Sequence, residues 1–194
     1  MKTIIFVRHG AVTYTENPIV DLQVYLNELG KKQVLELSEL FREYVNGVGE
    51  IYCSGLNRTK ETLAHIASYY KLDLIDRADL NEHNYNGNAG LFHTNLKKDP
   101  SFKFSGGESI EESGVRFERA IGEILNKNQD KLIIIGTHGT IFSNYLIKKF
   151  NLDSDYFFKL SYPDVYELSY DENHIPISYK KRPDLIPNNA VDKI

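Results

Sequence analysis

Met1-Lys-Thr-Ile-Ile-Phe-Val-Arg-His-Gly10 is the stretch on which the fold turns. Ile4, Ile5, Phe6 and Val7 form a short, apolar, largely β-branched run, the pattern of a buried strand. An arginine, a histidine and a glycine follow directly. In an open α/β sheet, ligands bind just beyond the carboxyl ends of the strands, so Arg8 and His9 sit where chemistry is expected. Taken alone, these three residues read equally well as an ordinary polar strand end, and other stretches must decide.

Outward from that strand, Leu29, Val34, Leu37, Phe41, Tyr44 and Val45 recur at spacings of three to five and predict a helix over roughly 28–45. Gly47 and Gly49 stop it, and Ile51-Tyr52-Cys53 reads as a second strand. Ser54 to Arg58 opens another helix, with Leu63, Ile66, Ala67 and Tyr70 inward, and Leu72 to Ile75 reads as a third strand. Strands alternating with helices predict a three-layer α/β/α fold with a mostly parallel central sheet. Lys131-Leu-Ile-Ile-Ile135, continuously apolar, is the best central strand, and a helix with Ile141, Tyr145 and Leu146 follows it. Residues 164–170 alternate like a strand, and a last strand ends near Tyr179.

Residues 78–107 break the rhythm. They are rich in Asn and Gly, carry Tyr85, Phe92, Phe102 and Phe104 as exposed-looking aromatics, and read as a lid or substrate loop. Ser105-Gly-Gly-Glu108 has the spacing of a capping box, opening a helix whose inner face is Ile110, Phe117, Ile121, Ile124 and Leu125. The tail beyond Arg182 reads as surface coil. With neither repeat nor linker, residues 1–194 are expected to form a single domain.

Composition narrows the function. A net charge of −4 gives no support for nucleic-acid binding. The apolar run at the start is too short for a signal-peptide core or a membrane span, so a cytoplasmic protein with no membrane partner is expected. One cysteine, Cys53, excludes an intrachain disulfide and reads as a small buried hydrophobe. His65, His83, His93 and His174 lack ligand spacing, so neither a metal site nor a cofactor is expected.

Two predicted strands end in histidine-glycine: Val7-Arg-His9-Gly10 and Ile135-Gly-Thr-His138-Gly139. As parallel neighbours they would bring both imidazoles to one sheet edge, and a third strand end leads to Arg58. Arginine offers a planar fork of donors matched to phosphate oxygens. The helix start after His138 would add backbone amides. Such a pocket suits a dianionic phosphoryl group, toward which a neutral histidine can act as nucleophile.

Arg8-His9-Gly10 resembles the signature of the histidine phosphatase superfamily, whose members share the phosphoglycerate mutase-like fold. Further stretches agree in order. Leu26-Asn-Glu-Leu-Gly30-Lys-Lys-Gln33 is similar to the family's Leu-Thr-x-x-Gly-x-x-Gln, and Ser54-Gly-Leu-Asn-Arg58-Thr-Lys-Glu-Thr62 to its Ser-x-x-x-Arg-Ala-x-x-Thr. Leu80-Asn-Glu82, Gly107-Glu108-Ser109 and Thr137-His138-Gly139 complete the set. The resemblance implies a metal-independent phosphatase acting on a small phosphorylated molecule. His9 would become phosphohistidine, and Arg8, Arg58 and His138 would bind the phosphoryl oxygens, with Gly10 and Gly139 lining the substrate site. Glu82 would protonate the leaving alkoxide and then deprotonate the attacking water.

Departures from the family pattern mark where this chain differs. After Glu82 the family often runs Phe-Gly-x-Trp-Glu-Gly, where this chain has Tyr85-Asn-Gly-Asn-Ala-Gly90. Asn86 thus replaces a glycine and must tolerate its backbone conformation. The family's Trp-Asn after Arg-His-Gly is Tyr14-Thr15 here, which makes the Thr15 hydroxyl a candidate phosphate contact. Lys97, Lys98 and Lys103 with Phe92, Phe102 and Phe104 could select the leaving group. A cofactor-dependent phosphoglycerate mutase and a phosphate-binding regulatory protein of the same fold remain as alternatives. The substrate and the oligomeric state are not legible, a homodimer being one option.

Overall fold

Alternate residues of the opening strand face two separate cores, which is why its apolar run is unbroken. The computed structural model describes residues 1–14, 23–96, 99, 101–128 and 131–192. Strands β1 (Lys2–Arg8), β2 (Val48–Ser54), β3 (Leu74–Arg77) and β4 (Leu132–Thr137) are parallel. A short β5 (Ser161–Tyr162) precedes β6 (Asp164–Tyr170) and β7 (Pro176–Lys181), which extend the sheet antiparallel from β1. The order across the six strands is β3-β2-β4-β1-β6-β7. The last strand, β8 (Val191–Asp192), pairs with β5 in a separate ribbon.

Ile4 and Phe6 pack with Phe117, Ile121 and Ile124 of α4 (Ile110–Lys127) and with Phe142 and Leu146 of α5 (Gly139–Phe150). Ile5 and Val7 pack on the other face with Leu37 and Phe41 of α1 (Glu28–Tyr44) and with Leu63 and Ile66 of α2 (Asn57–Tyr70). The expected three-layer arrangement is therefore present. Gly136 lets α2 approach the sheet, since a Cβ there would lie 2.7 Å from Leu63 Cδ1. No helix among the described residues is long and apolar enough to cross a membrane.

Four local expectations change. The helix before the third strand ends with Lys71 in the left-handed region and Leu72 N bonded to Ala67 O, so β3 begins at Leu74 rather than Leu72. Tyr44 is half-exposed, outside the buried face of α1. The capping box belongs to Ser109 and Glu112, four residues later than predicted. The Ser-x-x-Glu spacing occurs twice in a row, and Glu108 is instead engaged by Arg116, with Nε and Nη2 both at 2.7 Å. The tail is not loose coil: Leu185 is completely buried, and Asn189 O accepts a hydrogen bond from the buried Gln33 Nε2 at 2.9 Å.

The long connection also has structure of its own. A short helix, α3 (Ala89–Leu96), lies inside it, and Phe92 is completely buried rather than exposed. Phe92 packs between His83, Tyr85, His93 and Phe102, at ring-centroid distances of 4.8 to 5.9 Å. Asn86 takes φ of 45°, the left-handed conformation its glycine-like place requires.

Candidate active site

The pairing of β1 with β4 sets Arg8 opposite Thr137, so the next residue of each strand is a histidine. His9 N donates to Thr137 O at 3.2 Å, and the rings of His9 and His138 stand 5.3 Å apart. Both histidines are buried, although they are polar.

Hydrogen bonding fixes their tautomers. His9 Nδ1 lies 2.8 Å from Gly10 O, an acceptor, so Nδ1 carries a hydrogen and Nε2 of the neutral ring keeps its lone pair. His138 Nδ1 accepts from Arg58 Nε at 3.2 Å, which leaves its hydrogen on Nε2. That hydrogen goes to Ser54 Oγ at 2.7 Å, Ser54 donates to Thr59 Oγ1 at 2.7 Å, and Thr59 donates to Leu56 O at 2.7 Å. The Thr59 hydroxyl also has Ser54 O within reach, at 3.2 Å. Burial, reinforced by Arg58, His9 and Arg8, holds the His138 pKa well below the usual imidazole range.

Arg58 projects from the first turn of α2, and its carbonyl accepts from Thr62 Oγ1 at 2.6 Å. Thr62 Oγ1 in turn accepts from Gly10 N at 3.0 Å, so the turn after His9 is tied to α2. Arg8 Nη1 donates to Leu160 O and Ser161 O at 2.8 and 3.1 Å, while its guanidinium carbon stands 3.5 Å over the Tyr162 ring. Arg8 Nε is buried and has no hydrogen-bond partner among the described residues, as suits a donor to an incoming anion. Gly139 makes room for this side chain.

Glu82 stands at the amino end of α5. Its Oε2 accepts from Thr140 N at 3.0 Å, and its Oε1 from Ile141 N and His83 N at 2.8 and 2.9 Å. The helix-start amides expected to face a phosphoryl group thus hold this carboxylate instead. Arg116 grips the preceding turn, donating to Asp79 O and Asn81 O at 2.9 and 3.0 Å, while Leu80 is buried beneath it. The Gly-Glu-Ser motif now has a physical meaning. A Cβ on Gly107 would lie 2.6 Å from Tyr85 O, Glu108 neutralises Arg116, and Ser109 caps α4.

The structure therefore brings Arg8, His9, Arg58 and His138 together, with Glu82 at the start of the helix that follows His138. Gly10 serves backbone bonding, while Thr15, Lys97 and Lys98 lie outside the described residues. Lys103 is paired with Glu112 at 2.5 Å. Cys53 is buried against Asp76, and burial pushes its thiol up to about 12. His65 is exposed, whereas His83 is bonded to Ser113 Oγ at 3.0 Å and His174 to Lys2 Nζ at 3.0 Å. Among the described residues no cluster of three or more His, Cys, Asp or Glu could hold a metal ion.

Three tyrosines at the site had no role in the sequence reading. Tyr14 OH lies 3.5 Å from His9 Nε2, and burial of that hydroxyl raises its pKa although 46% of the residue is exposed. Tyr162 faces His9 with ring centroids 5.4 Å apart. Tyr85 reaches Thr140 Oγ1 at 2.9 Å. Departure from the family pattern flagged Tyr14 and Tyr85, and Tyr85 also stood among the aromatics of the 78–107 loop, whereas nothing pointed to Tyr162.

Two parallel strands ending side by side in buried histidines, with an arginine from each of two elements beside them, define a protein of the phosphoglycerate mutase-like fold. The pattern of the histidine phosphatase superfamily (branch 1) matches residues 4–180, and the chain belongs to that family. A metal-independent phosphoserine phosphatase of Arabidopsis thaliana is 30% identical over an alignment 154 residues long that covers 71% of this chain and 64% of that protein. Phosphoserine phosphatase of Entamoeba histolytica, solved with 3-phosphoglyceric acid, superposes with a TM-score of 0.73. The superposition covers 96% of this chain and 100% of that one, at 17% identity. A mycobacterial glucosyl-3-phosphoglycerate phosphatase gives a TM-score of 0.70 at 16% identity, covering 94% and 97%. These relatives are phosphatases, and the Entamoeba enzyme binds small phosphorylated molecules.

Proposed function

We propose that this chain is a metal-independent phosphatase that hydrolyses a small phosphomonoester through a phosphohistidine on His9. The observation that carries the reading is the fixed His9 tautomer: Nδ1 donates to Gly10 O at 2.8 Å, leaving the lone pair on Nε2, which the Tyr14 hydroxyl approaches at 3.5 Å. Nε2 attacks phosphorus and the ester P–O bond breaks. The leaving oxygen takes a proton from Glu82, which enters this step as the carboxylic acid and leaves it as the carboxylate, and the Gly10 carbonyl steadies the charge that develops on the His9 ring. Arg8 and Arg58 stabilise the equatorial oxygens during transfer. In the second step water attacks the phosphohistidine, its proton passes to Glu82, and inorganic phosphate leaves with His9 restored.

His138, neutral and with both ring nitrogens engaged, by Arg58 and by Ser54, acts on the phosphoryl group by orienting the Arg58 guanidinium. In this reading residues 1–194 form one domain, and residues 78–107 act as its lid and selectivity loop. Phosphoserine and phosphoglycerates, named with the relatives, are the first substrates to try.

The test is phosphate release over a broad panel of small monoesters with EDTA present. His9→Ala is expected to lose activity by about a thousandfold or more, and rapid quenching of the wild type to trap an acid-labile phosphoprotein. Undiminished turnover by His9→Ala would overturn the mechanism. Interconversion of 3- and 2-phosphoglycerate in place of hydrolysis would indicate the mutase.

A further inference from the structure

We propose that Tyr85 is a positioning residue for Glu82, coupling the lid to the proton-transferring end of the site; this rests on Glu82 acting as the proton carrier. The Tyr85 hydroxyl lies between Thr140 Oγ1 at 2.9 Å and His93 Nε2 at 3.2 Å. Thr140 is the same residue whose amide holds Glu82 Oε2 at 3.0 Å. One residue in the first turn of α5 is thus bonded on its backbone to the carboxylate and on its side chain to the lid.

The lid end of this link is closely packed. The Tyr85 ring packs edge-on against His83, Phe92 and His93, with centroids 4.6, 5.0 and 5.7 Å away. Phe92 is completely buried, and Tyr85 O meets Gly107 so closely that no Cβ fits there. Burial, together with the nearby Glu82 charge, raises the Tyr85 pKa, so the hydroxyl keeps its hydrogen in neutral solution. A lid displaced by a poorly fitting leaving group would pull on Thr140 and hence on the amide that aims the carboxylate. Selection by the lid and protonation of the leaving group then become one event.

The experiment compares kcat/KM for two esters, because this ratio reports steps up to the first phosphoryl transfer. Nitrophenyl phosphate releases a phenolate that is stable without a proton, whereas glycerol 2-phosphate releases an alkoxide that needs one. Tyr85→Phe and Thr140→Val are each expected to raise the nitrophenyl-to-glycerol ratio about tenfold, the effect of one lost orienting hydrogen bond. Thr140→Ser, which keeps the hydroxyl, is expected to restore the wild-type ratio.

A ratio within twofold of wild type in Tyr85→Phe or in Thr140→Val overturns the proposal, as does Thr140→Ser behaving like Thr140→Val. Glu82→Gln separates the two levels of inference. If it raises the ratio while the Tyr85 and Thr140 variants do not, only the positioning role falls. If it leaves the ratio unchanged, the assignment of Glu82 as proton carrier falls as well.

Discussion

Replacing Gly139 by alanine should disable the site through one methyl group. A Cβ at this position would stand 2.9 Å from Arg8 Nη2, 3.2 Å from Cζ and 3.3 Å from Nε. Relaxed contacts of this kind lie at about 3.5–4.0 Å, so the guanidinium must retreat by roughly half an ångström or more. Its freedom to do so is small. The Tyr162 ring covers Cζ at 3.5 Å, and Nη1 is held by Leu160 O and Ser161 O at 2.8 and 3.1 Å. If Arg8 binds the phosphoryl group as proposed, a displacement of this size costs on the order of 10- to 100-fold in kcat/KM, or about 1.4–2.7 kcal/mol of transition-state stabilisation. Overpacking should cost about 1–3 kcal/mol of stability besides.

Steady-state phosphatase kinetics and a urea melt measure both quantities, with Gly122→Ala as the control. Gly122 lies in α4 with nothing within 4 Å of its added Cβ, so alanine there should leave activity intact and stability equal or slightly higher. Wild-type kcat/KM in Gly139→Ala, with unaltered inhibition by inorganic phosphate, would show that the Arg8 position does not matter to the reaction.

Two further outcomes follow from buried polar groups. Gln33 is completely buried and serves three backbone groups: Ala11 N at 2.8 Å, Tyr162 O at 2.8 Å and Asn189 O at 2.9 Å. Gln33→Leu should cost about 3–5 kcal/mol at roughly 1–3 kcal/mol per unsatisfied group, the two carbonyls recovering part of their share from water. A loss under about 1 kcal/mol in a denaturant melt would contradict that reasoning. For His138, the depressed folded-state pKa means that acid protonates the unfolded chain first, so stability falls as pH drops below the ordinary imidazole value of about 6.5. Between pH 7 and 5.5 this residue should withdraw on the order of 1 kcal/mol, and His138→Gln should flatten that part of the stability–pH curve; an identical slope in the variant would refute the assignment.

The α/β/α layering was legible because each layer writes its own periodicity. Ile4 to Val7 are apolar without a break because both faces of β1 are covered, whereas α1 and α4 show only one apolar stripe. Arg8, His9, Arg58 and His138 could be named from the linear motif because each sits at an element end, where spacing along the chain survives folding, and Glu82 because it follows the end of β3 by only five residues. What those residues bond to could not be named. The Ser54–Thr59 relay behind His138, the Tyr162 cover on Arg8 and the Gln33 clamp on the tail join positions from five to more than 150 residues apart. The two consecutive Ser-x-x-Glu spacings were indistinguishable until Arg116 claimed Glu108. The amides of α5 likewise looked available to substrate until the fold placed Glu82 on them.

The sequence by itself thus determined the layers, their order and the residue types at the sheet edge, since hydrophobic period and strand-end chemistry are local properties. Tertiary structure alone decided the tautomers of both histidines, the confinement of Arg8 and the pairing of Tyr85 with Thr140. A hydrogen bond depends on where its acceptor lies in space, and these acceptors come from segments that only packing brings together.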